Sequence, residues 1–252
     1  MVAEAARLEI KARREELMGV VFYRNAVRNA SSQISLRFSA PMKTLLLISL
    51  LTLPAVADDL KPALGKLGTL LLEEKFDGSE MPKGWNANTG TLRVADGKLH
   101  AGEKSSDKHI GAFRYRLPVQ DCAVQIDFTL GEMRIINLGY DPAEGELKKK
   151  GHLFSVTITP KSWSIIEHND KADPASKTKV LATAKTDFDP KRTYSLLLEC
   201  KGNDVVAQVT GKEPLRATSE DFHVKKPGLV FRMGGKDSQE VAFDQVKVWA
   251  LE

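Results

Sequence analysis

Glu167 and His168 are adjacent near the middle of the chain and could take part in acid–base chemistry. An imidazole exchanges a proton near neutral pH, and a neighbouring carboxylate can orient it. Asp170 follows shortly after, so ionisable groups are concentrated here. The competing interpretation is a solvated loop histidine beside acids, and the sequence leaves both open.

Three polar residues, Arg134, Asn137 and Arg232, interrupt segments that are otherwise apolar and strand-like. A polar group inside such a strand needs a hydrogen-bonding partner, which a ligand or a neighbouring strand can supply. Trp163 lies among a lysine and two serines just after a turn. Its indole is a candidate flat surface for a ligand, and a core or edge-packing role is the alternative.

Asp77 and Asp244 flank the first and last predicted strands and could join backbone carbonyls in a calcium site. Asp77 also precedes a glycine, and the alternative is a simple turn. Cys122 and Cys200 share strand parity with apolar neighbours, and both are expected to face inward. A disulfide between them and two buried free thiols remain equal alternatives. Neither cysteine has a neighbouring ligand pattern that predicts zinc.

Short strands separated by turns must position these residues. Apolar and polar residues alternate in runs from residue 69 onward, with turn signals every few residues. Asp96-Gly97 between two such runs predicts a tight hairpin, because this dipeptide tolerates positive φ. No long helix is indicated after Leu67. The fold class predicted is all-β: a two-sheet antiparallel β-sandwich of the jelly-roll type.

Residues 42–57 have the pattern of a secretory signal peptide. Met42-Lys43 gives a positive start, an apolar run follows, and Ala55-Val56-Ala57 supplies small residues before Asp58. The apolar run is too short to span a membrane. We therefore expect residues 1–41 to be a mis-assigned start or a disordered extension. Residues 58–68 are then a leader, residues 69–252 form the domain, and the protein is secreted or periplasmic.

The charge balance supports this division. The chain has 37 Lys and Arg against 33 Asp and Glu, and residues 1–57 hold 8 and 4 of them. The remainder therefore has 29 of each (37 − 8 and 33 − 4). Nucleic-acid binding is not predicted, because it needs a basic excess on the mature surface. No membrane span is expected after signal cleavage, and the oligomeric state is left open.

Two segments carry a family resemblance. FDGSEMPKGWNANTGTLRVADGKLHAGE, from Phe76 to Glu103, resembles the entry of concanavalin A-like (laminin G-like) jelly rolls. VAFDQVKVWALE, from Val241 to Glu252, looks like their closing strand. The chain is also similar to exported bacterial domains of the 3-keto-disaccharide hydrolase type. The resemblance implies a carbohydrate or polysaccharide partner, engaged on the concave sheet.

The sequence departs from the catalytic patterns of these relatives. The related glucanases carry a Glu-x-Asp-x-x-Glu strand that places its acids on one face, and this chain has no such strand. The keto-disaccharide group shows "Asn-Ser-Gly-x-x-x-Arg" and "Gly-Tyr-Glu" strands, which residues 136–140 and 151–154 do not match. That family's catalytic residues are therefore not transferred to this chain.

Three functional hypotheses follow from the resemblance and the residues. The first is an exported module that binds a glycan through Trp163, Arg134, Asn137 and Arg232. The second is a glycoside hydrolase or lyase acting on (3-keto-)disaccharides, with His168 and Glu167 as acid–base residues. The third is a structural or adhesive envelope protein. No cofactor is predicted apart from the candidate calcium ion at Asp77 and Asp244.

Overall fold

Strands connected by short turns make up residues 60–252, which are the residues that the structure, a computed structural model, describes. The strands are β1 (Leu67–Glu74), β2 (Trp85–Thr89), β3 (Thr91–Ala95), β4 (Lys98–Gly102), β5 (Gly111–Val119), β6 (Cys122–Thr129), β7 (Ile135–Tyr140), β8 (Phe154–Thr159), β9 (Ser162–Glu167), β10 (Lys179–Lys185), β11 (Thr193–Lys201), β12 (Asp204–Val209), β13 (Leu215–Thr218), β14 (Lys226–Gly234) and β15 (Glu240–Leu251). Two short 3-10 turns, Ser105–Asp107 and Glu220–Phe222, are the helical segments of this region. No helix within it is long and apolar enough to cross a membrane. The predicted extension (1–41) and signal (42–57) lie outside the described residues.

The strands form two antiparallel sheets. The seven-stranded sheet has the order β10-β9-β8-β7-β14-β5-β2. The eight-stranded sheet has the order β13-β12-β11-β6-β15-β4-β3, and β1 also pairs with β15. Strands that are neighbours in a sheet are often distant in sequence. For example, β14 lies between β7 and β5. The predicted all-β, two-sheet antiparallel sandwich is confirmed.

Strand alternation builds the core between the sheets. In β6 the side chains of Val124, Ile126 and Phe128 are buried, whereas Gln125 and Asp127 are only partly covered. The same period places aromatic rings from both sheets in one cluster. Its members are Phe76, Trp85, Phe113, Phe231 and Phe243, with ring centroids 4.6–5.9 Å apart in the contacting pairs. This core fixes which side chains point outward.

Turn chemistry was predictable, but two strands were not. Asp96 and Gly97 both have positive φ, 53° and 69°, as the hairpin prediction requires. β2 and β13 were not predicted, because β2 has no alternating apolar pattern and β13, which does alternate, is only four residues long. β2 reads Trp-Asn-Ala-Asn-Thr and takes its conformation from pairing with β5.

Residues 60–66 lead into β1 without a helix and attach to the outer face of the eight-stranded sheet. The Glu199 carboxylate is completely buried there and accepts hydrogen bonds from the backbone N–H groups of Ala63 and Leu64, at 2.8–3.0 Å. Gln208 Nε2 donates to the same carboxylate at 3.1 Å. Leu60 packs beside Trp249 on this surface. The leader is thus held by the Glu199 carboxylate and a small apolar contact. Gln208 Nε2 also donates to the Lys61 carbonyl, and Lys66 and Glu252 exchange backbone hydrogen bonds.

Replacement of Glu199 by alanine is expected to release this leader. The variant should lose about 2–3 kcal/mol in the free energy of unfolding, because a charged acceptor of several hydrogen bonds is removed. Brief trypsin treatment of the native variant should cleave after Lys66, as read by intact mass. The exposed Glu213→Ala serves as control, and equal protection of Lys66 in all three proteins would contradict the role of Glu199.

Cys122 and Cys200 lie directly opposite each other on the neighbouring strands β6 and β11. Both side chains are fully buried, as their parity predicted, and both thiols are free in the structure. Burial raises the pKa of Cys122 to about 12, although its Sγ lies 3.2 Å from Tyr140 Oη. The disulfide therefore stays a prediction, now with a register that places the two residues side by side.

Candidate functional site

The outer face of the seven-stranded sheet carries a concentration of polar side chains. In β7, β8 and β14 the inward positions hold Leu138, Phe154 and Phe231. The alternate, outward positions include Asn137 and Arg232, which are directly paired in register. Strand alternation thus brings residues distant in sequence onto one surface.

A chain of hydrogen bonds begins at the β5 side of this face. Arg114 Nη1 donates to Asn88 Oδ1 at 2.5 Å, and Arg114 Nη2 donates to Asp141 Oδ2 at 3.1 Å. The other Asp141 oxygen is 2.5 Å from His152 Nδ1. Asp141 follows β7 and His152 precedes β8, so the carboxylate links a guanidinium to an imidazole across the sheet.

A second cluster continues from His152 towards β14. The His152 and His168 rings meet edge to face, with centroids 5.3 Å apart. His168 Nε2 lies 2.9 Å from Ser155 Oγ and 2.8 Å from Arg232 Nη2. Arg232 Nη2 also donates to Ser155 Oγ at 2.9 Å. We call the whole set the His–Arg row: Asn88, Arg114, Asp141, His152, His168, Ser155 and Arg232.

A glycine in β7 lets Arg232 reach across the sheet. Gly139 is paired with Ser155 of β8 and with Val230 of β14, so it lies between the strands that Arg232 bridges. A Cβ at this position would fall 2.6 Å from Ser155 Oγ and 2.0 Å from the Phe154 carbonyl oxygen. Only glycine fits this close approach without a shift of the backbone.

The Asp141 carboxyl is kept ionised by its neighbours. Burial favours its neutral form, but the hydrogen bond from His152 and the charges of His152 and Arg114 outweigh burial and lower its pKa. The carboxylate is therefore a stable acceptor that holds two cationic or polar side chains in place.

His168 is kept neutral. Burial lowers its pKa to about 3, with the charges of Arg232, His152 and Lys149 acting in the same direction and Asp141 opposing them. Since Arg232 Nη2 can only donate, His168 Nε2 is the acceptor in this contact and the proton resides on Nδ1. His168 thus orients the guanidinium and is a very weak base.

Acid should destabilise the protein through His168. Its folded pKa is about 3, and the ordinary value is 6.5. The unfolded chain binds the proton first, so stability falls as the pH drops from 6.5 towards 3, by about 1–3 kcal/mol after allowing for partial solvent exposure. His168→Gln, which keeps an acceptor but does not titrate, should flatten this part of the profile in urea unfolding measured across pH. The exposed His223→Gln should not, and an unchanged slope in His168→Gln would contradict the assignment.

Two open pockets flank Arg114 on this face. One, of about 280 Å³, is lined by Asn86, Arg116 and Asp141 among others. The second, of about 250 Å³, is lined by Asn88, His152 and Lys171 among others. Both adjoin the His–Arg row, so its side chains line cavities large enough for a small ligand.

Comparison with solved structures identifies the fold. The laminarinase from Rhodothermus marinus aligns with a TM-score of 0.58 at 11% identity, over 75% of this chain and 100% of that one. A Bacillus subtilis protein of unknown function with a galectin-like fold aligns at 0.55 and 14% identity, over 73% and 97%. The carbohydrate binding module CBM66 from Bacillus subtilis aligns at 0.51 and 14% identity, over 66% and 96%. The chain has the concanavalin A-like jelly-roll fold. No family model matches the sequence, and no curated protein matches it.

The jelly roll separates the two residues predicted to act together as acid and base. Glu167 is 7% exposed and faces the interior of the sandwich, whereas His168 lies on the outer face with Ser155. Adjacent positions of a strand point to opposite faces, which is why the pair does not meet. Glu167 instead lies 3.6 Å from Lys149 Nζ and 3.5 Å from Lys179 Nζ. Glu167 and His168 therefore contact different residues and do not form the expected acid–base pair.

Of the four predicted ligand-binding residues, Asn137 and Arg232 lie on the outer face of the seven-stranded sheet. Trp163 does not, because its side chain is 1% exposed and packs in the core of the jelly roll. It therefore has no free surface for a ligand. Arg134 is exposed at a bend just before β7, where its N–H donates to the Gly234 carbonyl, outside the His–Arg row.

Of the two aspartates predicted for calcium, Asp77 lies just after β1 and Asp244 lies within β15, both in the eight-stranded sheet. Asp77 is exposed after β1, and Asp244 within β15 has its carboxylate 3.3 Å from Lys98 Nζ. Within residues 60–252 no group of three or more His, Cys, Asp and Glu side chains is arranged to hold a metal ion.

Sequence reasoning missed Asn88, Arg114, Asp141 and Ser155 as site residues. Arg114 alternates with Phe113 and Tyr115, so its outward direction was readable. The sequence does not show the strand order. In the sheet, β9, β8, β7, β14 and β5 are consecutive, and this order brings the residues of the row together.

Proposed function

We propose that this jelly roll binds a glycan on the outer face of its seven-stranded sheet, in the two pockets along the His–Arg row. The observation that carries the proposal is the row itself. It places planar guanidinium, imidazole, amide and carboxylate groups on one surface beside open cavities. Such groups match the paired hydroxyls of sugars. Similarity to a carbohydrate binding module and to laminarinases supports this ligand class.

We further propose that the protein acts outside the cytoplasm, as a secreted or periplasmic domain. The support is the signal pattern at residues 42–57 together with the balanced charge of the remainder. Polysaccharides are accessible there. An oxidising compartment would also allow Cys122 and Cys200 to form a disulfide, since they are directly paired.

A hydrolase or lyase activity is the second candidate, and one contact favours it. The Asp141 carboxylate contacts His152 Nδ1, which leaves Nε2 as the nitrogen available to a ligand in the 250 Å³ pocket. A carboxylate-oriented imidazole at a pocket is an arrangement used for general base catalysis. His152, rather than His168, would then be the base.

Arg114 provides the direct test of the binding face. A glycan array identifies an oligosaccharide ligand, and calorimetry then measures its affinity for the wild type and for Arg114→Ala. The variant should bind at least about 10-fold more weakly, because a charged donor at the junction of both pockets is lost. The matched control is Arg93→Ala, which removes an arginine paired with Glu240 on the other sheet.

The outcomes separate the hypotheses. Weakened binding in Arg114→Ala with unchanged affinity in Arg93→Ala supports the proposed face. Equal affinity in all three proteins contradicts it. Product formation from the bound oligosaccharide that His152→Ala abolishes, with affinity retained, would favour the enzyme. Absence of any bound glycan would favour the structural or adhesive alternative.

A further inference from the structure

Arg232 is a partly buried cation without a carboxylate partner. No Asp or Glu oxygen lies within 4 Å of its guanidinium in the part of the chain that the structure describes, and its recorded contacts are the neutral Ser155 and His168. Asp141, the acid of this face, is engaged by Arg114 and His152. Placing a cation in a partly dry site without a carboxylate in contact costs free energy.

The guanidinium is nevertheless held in one orientation. Both recorded hydrogen bonds use Nη2, which points to Ser155 and His168. Nε and Nη1 donate to no atom of residues 60–252, and neither is sealed from solvent without a partner. Both two-donor edges of a guanidinium include Nη2, which is engaged here, so Nε and Nη1 remain as single charged donors for an anionic oxygen.

The adjoining pocket has the same charge preference. Ala112 is paired directly with Arg232 across β5 and β14 and lines the 250 Å³ pocket. The lining of that pocket includes Arg114, His152 and Lys171 and contains no Asp or Glu. Two features, an arginine without a carboxylate in contact among the described residues and a neighbouring pocket lined by basic side chains, therefore favour negative charge on this part of the face.

We propose that the ligand of this face is an acidic glycan, whose carboxylate or sulfate oxygens accept hydrogen bonds from Nε or Nη1 of Arg232. This inference rests on the proposed glycan-binding function and names the class of sugar. Ser155 and His168 are positioning residues that fix the guanidinium. Lys171 and Arg114 provide the further positive potential that attracts a chain of repeated anionic units.

The test compares three tetrasaccharides on the full protein by calorimetry at low salt: tetragalacturonate, a sulfated carrageenan tetrasaccharide and neutral laminaritetraose. We expect one acidic tetrasaccharide to bind at least about 10-fold more tightly than laminaritetraose. The preferred one distinguishes a carboxylate ligand from a sulfate ligand. Arg232→Gln should abolish the preference, whereas Arg216→Gln, an exposed arginine of β13, should preserve it.

Arg232→Lys is a second variant that keeps the test valid if Arg232→Gln does not fold. It retains the charge without the separate Nε and Nη1 donors, so an intermediate loss of the acidic preference is expected at an unchanged melting temperature. Acidic preference unaffected by either Arg232 variant would overturn the inference, since it would reflect general charge attraction. Equal binding of neutral and acidic ligands, still weakened by Arg114→Ala, would also overturn it and leave the proposed function standing. No binding of any glycan would instead overturn the proposed function.

Discussion

Asp141→Ala is expected to weaken glycan binding by about 30- to 100-fold. The carboxylate accepts from Arg114 and His152 with separate oxygens, so its loss frees two side chains that line the second pocket. Charge-assisted hydrogen bonds of this kind contribute about 1.5–3 kcal/mol, or about 10- to 150-fold in affinity, and the expected loss lies within this range. Calorimetry with the array-selected oligosaccharide measures it.

Asp244→Ala is the matched control for this variant. Asp244 also pairs with a basic side chain, Lys98, but on the eight-stranded sheet. Its removal should leave affinity within about twofold, because exposed pairs contribute little. If Asp141→Ala binds as tightly as the wild type, the hydrogen-bonded chain along the row does not organise the site.

Lys226→Ala is expected to destabilise the jelly roll by about 3–5 kcal/mol. The Lys226 side chain is completely buried, and its Nζ donates to the carbonyl oxygens of Gln120, Phe222 and Val224 at 2.8–3.0 Å. The alanine leaves three carbonyls without this donor and a cavity where the alkyl chain packed. Denaturant unfolding gives the difference in free energy.

Two further variants separate these contributions. Lys226→Met retains most of the volume and still removes the ammonium, so a loss of about 2–3 kcal/mol would be assigned to the carbonyls. Lys225→Ala changes an exposed neighbour and should alter stability by less than about 0.5 kcal/mol. A Lys226→Ala variant as stable as Lys225→Ala would mean that water replaces the ammonium without cost.

Periodicity in the sequence was sufficient for the fold class. The alternation in β6 and β8 fixes which side chains meet in the core, and this depends only on neighbours along the chain. The same rule, applied to Glu167 and His168, predicts that they point apart. Their adjacency in sequence suggested a pair, and adjacency within a strand excludes one.

The site was only partly predictable because its contacts are long-range. Arg232 was identified as a polar residue in an apolar strand, but its partner Ser155 is 77 residues away. Trp163 was assigned to a ligand because its sequence neighbours are polar. Those neighbours occupy the opposite face of β9, and the indole itself faces the core. Polar neighbours in sequence therefore do not show that a strand residue points to solvent, because adjacent residues of a strand point to opposite faces.

The eight-stranded sheet offers the competing location for a ligand. A pocket of about 360 Å³ there is lined by Arg93, His100 and Glu240 among others. It is larger than either pocket along the His–Arg row. Its arginine is already paired, since Arg93 donates to both Glu240 oxygens at 2.5 and 3.1 Å. His100 Nε2 is buried there without a hydrogen-bond partner in residues 60–252, so this pocket also offers a polar group to a ligand.

Chemical-shift mapping on the ¹⁵N-labelled protein separates the two faces in one experiment. Titration with the array-selected oligosaccharide should shift the backbone amides around Arg114, Ser155 and Arg232, and leave those around Arg93 and Glu240 unchanged. Perturbations confined to the eight-stranded sheet would contradict a binding site on the His–Arg row.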